Sequence, residues 1–274
     1  MTWTGKPPET TLAPISGADL DEFRGTLEDT PANSEALAAL ASGHSRTFLL
    51  GDPQAPGAAL IDNCWDQDEP TAIGTDAESI WTLLSQYSGW TCVGGLQRPT
   101  AEALAEIFRR ELGLEPSFKA AVLFVLKRPA IPHESKLVRL LDVHDTEMVD
   151  RAPPEMLGLY RGGAELLARA KVAAGVSDGG IVGWMTSGEW SLRHAGVGGH
   201  VLEPWRNRGI GSSAAFLVAQ AAQREGRAPT WSTGEDNPRS QHVARKLGFE
   251  ECGRDWYVVL PALWKSGGYH PRAA

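Results

Sequence analysis

The second half of the chain alternates apolar runs of strand length with longer apolar-faced or alanine-rich runs of helix length. From residue 136 to about 262 this pattern predicts strands near 137–141, 171–176, 180–186, 195–202, 230–232 and 251–260, with helices at 211–224 and 238–247. Two further helices, broken at Pro153 and Pro154, are expected after the first strand. The cluster at 177–180 predicts a hairpin turn. These elements predict an α/β (α+β) arrangement: a mixed sheet with helices on its faces.

The first half follows a similar layout after a tail rich in Thr and Pro. A helix is predicted at 34–42, strands at 47–51, 58–62, 71–74, 90–93 and 120–127, and two more helices capped by Asp76 and Thr100. Two prolines in the segment 127–133 stop regular structure on either side. We therefore predict a linker there, between a domain at 1–130 and a domain at 131–274.

Composition limits the classes of protein. With 274 residues and 42% hydrophobic content, the chain is long enough for one large or two ordinary domains. Its longest apolar runs are too short to span a bilayer, and its start lacks a signal-peptide core, so we expect a soluble, cytoplasmic protein without a membrane partner. The three cysteines (Cys64, Cys92 and Cys252) stand far apart, which indicates neither a disulfide framework nor a metal site.

Charge is divided unevenly between the two halves. Residues 1–130 hold 9 basic and 18 acidic side chains, and residues 131–274 hold 17 and 16. Neither half has the basic excess of a nucleic-acid binder, so no nucleic-acid partner is expected. The acidic half could attract a cationic substrate or could serve solubility, and solubility is the favoured reading.

The most informative segment is 197–212, which predicts a strand, a glycine-bearing turn and the start of a helix. Pro204 ends the strand because it cannot donate to a ladder. Arg206, Gly209 and Gly211 follow with the spacing Arg-x-x-Gly-x-Gly. Glycines allow close approach of the backbone, and the first amides of a helix favour an anion such as a diphosphate. Many such turns, however, need glycine only for its backbone freedom.

A second motif lies downstream, where Asn237 is followed by Lys246-Leu247-Gly248-Phe249. Together the two motifs resemble the Gcn5-related N-acetyltransferase (GNAT) superfamily, with Arg206-x-x-Gly209-x-Gly211 as its acyl-CoA pyrophosphate loop. The resemblance implies the GNAT fold for the second half, a mixed, mostly antiparallel sheet flanked by helices, with two strands that splay apart around the pantetheine arm. By layout alone, the first half resembles a degenerate GNAT-like domain without a cofactor loop, giving a tandem of two GNAT-like domains.

The resemblance also implies the residues that bind acetyl-CoA. Val201 and Leu202 would supply backbone groups to the pantetheine arm and thioester. The side chain of Asn237 would contact the arm, although an Asn-Pro pair is also an ordinary helix-start signal. The pyrophosphate would be held by Arg206, Asn207, Arg208, Gly209, Ile210, Gly211 and Ser212.

The sequence departs from the family at the proton donor. The family's usual acid is a tyrosine five residues before the final Phe of the closing motif, and Ala244 stands at that position. Ser240, one turn earlier on the same helix face, is the best substitute, or else a solvated serine; His242 is predicted to lie off that face. For the base, Glu203 and His200 are the main candidates, and the wider set adds His194, Glu235 and Asp236.

Tryptophan is abundant, with 10 residues. Several lie near the expected acceptor side or cofactor strand and either line a flat acceptor pocket or fill the core: Trp184, Trp190, Trp205, Trp231 and Trp256.

The resulting functional expectation is an acetyl-CoA-dependent N-acetyltransferase that moves an acetyl group to the primary amine of a small molecule by direct attack. Alternatives are transfer of a larger acyl group, transfer to a peptide or protein amine, and an inactive CoA-binding regulatory protein. The missing tyrosine is the sequence argument for the last of these. The oligomeric state is left open, and a monomer is compatible with the sequence.

Overall fold

A computed structural model describes residues 12–62, 68–158, 160–264 and 268. The described chain forms two compact units, and each is discontinuous in sequence. The amino-terminal unit contains residues 12–28, 36–121 and 254–264, and the carboxyl-terminal unit contains residues 29–35 and 122–253. The division at residue 130 stays a prediction, since the compact units follow different segments.

The amino-terminal unit packs helices against a short sheet. Its first strands lie in the order β1-β2-β3-β4, antiparallel except for the parallel pair β3–β4. Its core centres on buried aromatic side chains, among them Tyr87, Trp90 and Phe108. The elements are α1 (Ala18–Thr26), α2 (Ser34–Ser42), β1 (Thr47–Asp52), β2 (Ala55–Ile61), β3 (Thr71–Ile73), α3 (Ala77–Leu84), β4 (Cys92–Leu96) and α4 (Arg98–Leu112).

Most elements predicted in this region are confirmed, with two corrections. Helix α1 was not predicted from the polar tail. Thr100 does not cap α4, because that helix begins at Arg98, after Gln97. Thr100 is instead buried inside the helix, and its hydroxyl donates to the carbonyl of Thr75 at 3.3 Å. The predicted cap at Asp76 is confirmed by its side chain, which accepts from the Ser79 N–H at 3.1 Å.

The carboxyl-terminal unit contains a mixed, mostly antiparallel sheet in the order β5-β10-β9-β8-β7-β6, as predicted. Neighbours from β6 to β9 are antiparallel, and β9 and β10 are parallel. The strands are β5 (Ser117–Val125, from residue 122), β6 (Val138–Leu140), β7 (Lys171–Ser177), β8 (Gly180–Trp190), β9 (His194–Val201) and β10 (Ala228–Gly234). The helices are α5 (Thr146–Asp150), α6 (Gly163–Arg169), α7 (Ile210–Arg224) and α8 (Pro238–Lys246).

The last strand, β11 (Glu250–Val259), precedes the short helix α9 (Pro261–Trp264). From residue 254 onwards β11 belongs to the amino-terminal unit, where Trp256 pairs with Leu96 of β4. Strand β5 is also divided between the units. Its first part, to residue 121, belongs to the amino-terminal unit, and its end from residue 122 belongs to the carboxyl-terminal unit. The predicted hairpin turn is confirmed, since Ser177 pairs with Gly180 across left-handed residues Asp178 and Gly179.

The segment predicted as a linker lacks regular structure but is held in place. The N–H of Ala130 donates to the Gln223 side chain at 3.2 Å, and that side chain donates to the carbonyl of Arg128 at 2.7 Å. The Ile131 N–H donates to the carbonyl of Leu247 at 3.0 Å. Helices α7 and α8 therefore fix this segment to the carboxyl-terminal unit.

In the described ranges, no helix is long and apolar enough to cross a membrane. In the same ranges, no group of three His, Cys, Asp or Glu side chains is placed to hold a metal ion. Cys92 is a buried free thiol and Cys252 an exposed one, while Cys64 lies outside the described residues.

Candidate functional site

Strands β9 and β10 part from each other along their length. They pair only at their beginnings, from His194 with Ala228 to Gly196 with Thr230. Beyond this point β9 continues to Val201 and β10 to Gly234 without pairing with each other. The divergence leaves an open gap in the sheet, as the family resemblance implied.

A cavity of about 650 Å³ lies at this gap and at the start of α7. Eight of the ten predicted cofactor residues line it, and Leu202 and Arg208 do not. Of the described residues, its walls comprise Met185, Gly199, His200, Val201, Trp205, Arg206, Asn207, Gly209, Ile210, Gly211, Ser212, Trp231, Asn237, Arg239, Ser240, His242, Val243 and Lys246. The predicted turn and the predicted closing motif therefore meet at one site.

The turn before α7 has the geometry of an anion cradle. Gly209 caps the helix in the left-handed conformation, with φ of 78°, which favours glycine. The first N–H with an acceptor inside the helix is that of Ser213, which donates to the Gly209 carbonyl at 3.0 Å. The amides of Ile210, Gly211 and Ser212 precede it and point out of the helix end. This end carries the positive pole of the helix dipole.

Gly211 keeps the cradle open. A Cβ on this residue would lie 3.3 Å from Cγ2 of Val201, so a side chain there would crowd the wall formed by β9. The absence of a side chain lets a ligand reach the backbone. The residues present therefore fit a diphosphate group.

The backbone of β9 shows which groups a ligand can reach. The Leu202 N–H donates to the Val182 carbonyl at 3.0 Å, and the Val201 carbonyl accepts from Nε of Arg206 at 3.1 Å. These two groups are engaged within the protein. Because N–H groups alternate sides along an antiparallel strand, those of Gly199 and Val201 face the gap.

The charged side chains around the cavity are all basic. Arg206, Arg239 and Lys246 line it, and none of the lining residues in the described chain is Asp or Glu. His133 lies beside the cradle, since its Nε2 would be 3.2 Å from a Cβ at Gly209. Burial, and then the charge of Lys246, lower the pKa of His133 and favour its neutral form. The site is suited to a polyanion.

The candidate catalytic residues separate into two groups. Ser240 and His200 line the cavity, whereas Glu203 is exposed in the short turn after β9 and is not in its wall. His194 is buried and hydrogen-bonded to Asp29 at 2.7 Å, away from the cavity wall. His242, which was expected to lie off the helix face of Ser240 and Ala244, also lines the cavity.

Ala244 occupies the position of the family's tyrosine, and it shares a core cluster with Trp231. Ala244 is fully buried in the core of the carboxyl-terminal unit. Trp231 of β10 belongs to the same core cluster and also lines the cavity. Its indole Nε1–H donates to Oγ of Ser240 at 3.0 Å.

The other tryptophans have separate roles. Trp205 lines the cavity with Arg208 over its ring at 4.8 Å, and Trp184 is buried with its ring 5.8 Å from that of His200. Trp256 lies in the amino-terminal unit, where it packs against the core beneath Arg98, as the core alternative for these tryptophans expected. The side chain of Trp190 lies outside the described residues.

The model of the acetyltransferase (GNAT) family matches residues 138–249. This range contains the divergent strands, the cradle and the closing motif. The chain carries a GNAT-family domain. No curated protein matches the sequence.

Solved structures show the same fold at low sequence identity. A GCN5-related N-acetyltransferase-like protein from Streptococcus suis has a TM-score of 0.63 at 14% identity, covering 88% of this chain and 98% of that one. A Drosophila protein has a TM-score of 0.63 at 14% identity, with coverage of 92% and 99%. A tandem GNAT protein from the clavulanic acid biosynthesis pathway has a TM-score of 0.54 at 15% identity, with coverage of 91% and 98%. The tandem neighbour supports the two-part GNAT reading of the chain.

The resemblance to the GNAT family did not point to some of the residues that line the cavity. Gly199 lies on β9, where the strand pattern alone gives no reason to single out one position. Trp231 on β10 was among the tryptophans expected near the acceptor side or cofactor strand, and it lines the cavity. Arg239 and His242 lie on α8, one on each side of Ser240. Arg239 directly precedes Ser240 in the first turn of α8, and this position is the signal that could have identified it.

Proposed function

We propose that this protein is an acetyl-CoA-dependent N-acetyltransferase that acts on the primary amine of a small molecule. The observation that carries the proposal is the cavity between β9 and β10. It joins an anion cradle to the part of β9 that no longer pairs with β10, and its charged side chains are all basic. Bound acetyl-CoA would supply an activated acetyl group as a thioester.

The binding roles follow from position. The amides of Ile210, Gly211 and Ser212, with Arg206, hold the pyrophosphate, because helix-end amides and a guanidinium both favour phosphate oxygens. The N–H groups of β9 that face the gap orient the pantetheine arm in place of a neighbouring strand. Since Oδ1 of Asn237 accepts from the Ser240 N–H at 3.1 Å, its side-chain NH₂ is left to donate to the arm.

The chemical roles fall to residues of the cavity wall. Direct attack by the amine needs orientation and a base, and no covalent enzyme intermediate. His200 is the base in this proposal, because it lines the cavity and Glu203 does not. Ser240 is the donor toward the leaving sulfur. Because the charged side chains of the cavity wall are basic and would repel a protonated amine, the acceptor enters from a different side than the phosphates.

The cradle is tested by Gly209→Ala. A Cβ at a left-handed residue costs roughly 1–2 kcal/mol, and here it also approaches His133. We expect affinity for CoA, measured by calorimetry, to fall about tenfold or more.

The matched control is Gly226→Ala at the other end of α7. Gly226 has φ of 79° and open space around the position of a Cβ. An alanine there therefore introduces the same backbone strain as at Gly209, but away from the cavity. Its CoA affinity should equal that of the wild type. Equal affinity in Gly209→Ala would show that the cradle does not bind CoA.

The reaction is tested by thiol release from acetyl-CoA against a panel of primary amines. Release that rises with one class of amine, together with the mass of the N-acetylated product, supports the transferase. Tight CoA binding without transfer to any amine would favour the regulatory alternative, for which Ala244 in the tyrosine position is the structural argument.

A further inference from the structure

In the hydrogen bond between Trp231 and Ser240, the serine hydroxyl is the acceptor, which leaves its own proton to donate. An indole N–H can only donate, so Oγ of Ser240 is the acceptor in this 3.0 Å contact. The hydroxyl has one proton, and the described part of the chain gives it no acceptor. Since Ser240 lines the cavity, that proton is available to a ligand.

Both partners are held in place. Trp231 is 6% exposed and packs edge to face against Phe249, with ring centroids 5.7 Å apart. Ser240 lies in the first turn of α8, where its N–H is bound by the Asn237 side chain. The geometry of the pair is therefore set by the core and by a helix cap. A serine near a helix start otherwise turns to nearby backbone groups.

Acyl transfer to an amine requires a donor at the sulfur. As the C–N bond forms and the C–S bond breaks, the sulfur leaves with the bonding electron pair and takes a proton or a hydrogen bond. The attacking nitrogen gives its proton to a base. A hydroxyl that already accepts a hydrogen bond is a stronger donor, because hydrogen bonds in a chain polarise one another.

We propose that Trp231 is a positioning residue that fixes Ser240 as a hydrogen-bond donor to the sulfur of the acyl carrier. The pair replaces the side chain that Ala244 lacks. This inference rests on the proposed function, since it requires CoA in the cavity.

The test compares the affinities of CoA and desulfo-CoA, which has hydrogen in place of the thiol, by calorimetry at pH 7 and pH 9. The wild type should prefer CoA by about fivefold to tenfold, and more strongly at pH 9 where the thiolate is populated. Ser240→Ala and Trp231→Phe should both bring this ratio near one while leaving the affinity for desulfo-CoA unchanged. A purely structural effect would lower both affinities together.

Trp205→Phe is the matched control, because Trp205 also lines the cavity but is not hydrogen-bonded to Ser240. Its ratio should stay at the wild-type value. Benzothienylalanine at position 231 keeps the shape of the indole and removes only the N–H, so it provides the result if Trp231→Phe does not fold.

The outcomes separate the two proposals. Absence of binding by both ligands to the wild type would contradict the proposed function. Binding of both with no sulfur preference, or a preference that survives loss of the indole N–H, would overturn the role of Trp231 and leave the proposed function standing.

Discussion

Asn237 combines a structural role with a proposed binding role. Its side-chain oxygen caps α8 through the Ser240 N–H, and Pro238 occupies the first helical position. The residue also lines the cavity. A cap that leaves one half of the amide unused can stabilise the helix and contact a ligand at the same time.

Substitutions at Asn237 separate these roles. Asn237→Ser keeps a capping oxygen and loses the NH₂ group, whereas Asn237→Ala loses both. We expect both variants to bind CoA more weakly, and only Asn237→Ala to lose about 1 kcal/mol of unfolding free energy. Calorimetry measures the binding, and urea titration measures the stability. Wild-type affinity in Asn237→Ser would limit this residue to capping.

At the scale of elements, Asp29 ties a distant segment of sequence to the turn between β8 and β9. Its carboxylate accepts from the Ser191 hydroxyl at 2.7 Å, from the Arg193 N–H at 2.9 Å and from Nδ1 of His194 at 2.7 Å. Burial by itself would raise the pKa of Asp29, but these hydrogen bonds and the charge of His194 hold it below the usual value. The carboxylate form is therefore the one that stabilises the fold.

The pH dependence of stability follows from that direction. A lowered folded-state pKa gives stability that is present above the unfolded value of about 3.9 and is lost as pH falls through the folded value. We expect Asp29→Asn to lose about 1–3 kcal/mol at pH 7, and the difference from the wild type to shrink below about pH 4. Urea unfolding at several pH values measures it.

The control for this prediction is Asp19→Asn, at an exposed position in the first turn of α1. It should change stability by a few tenths of a kcal/mol. A difference between Asp29→Asn and the wild type that stays constant down to pH 3 would exclude the carboxylate as the source of the stabilisation.

At the scale of the whole molecule, the carboxyl-terminal unit depends on a strand that precedes the predicted linker. Val122, Phe124 and Leu126 are each 0–1% exposed and belong to the core cluster beneath α7 and α8. The end of β5 also lies beside β10, and the Leu126 N–H donates to the Pro229 carbonyl at 2.9 Å. A fragment cut at residue 130 would lose these contacts.

We therefore expect a fragment of residues 131–274 to lack a cooperative unfolding transition. Losing one large core side chain costs about 3–5 kcal/mol, against a total stability of about 5–15 kcal/mol. A longer fragment, residues 117–274, restores β5 and should unfold cooperatively, with a stability about 1–3 kcal/mol below that of the full chain because it still lacks Asp29. Circular dichroism during urea titration measures both. Cooperative unfolding of the shorter fragment would show that β5 is dispensable.

Most helices and strands were predictable, because their signals are local. The spacing of apolar residues gave the strands around Val197 and Thr230, and Gly209 and Asn237 marked the helix starts. The missed features depend on distant residues. Thr100 resembles a cap in sequence but is buried beside Thr75, and nothing near Asp29 in the sequence indicates that it binds a turn more than 160 residues away.

The sequence by itself indicated the GNAT resemblance of residues 138–249 and the glycine turn before α7, since Arg206-x-x-Gly209-x-Gly211, Asn237 and the closing Phe249 are read from their order and spacing. It also showed that Ala244 breaks the family pattern. Only the tertiary structure showed which side chains line the cavity where the family has its tyrosine. Trp231 and Ser240 lie on different elements and meet through the packing of α8 against β10. Backbone geometry is encoded locally, whereas the partner of a side chain is set by the whole core.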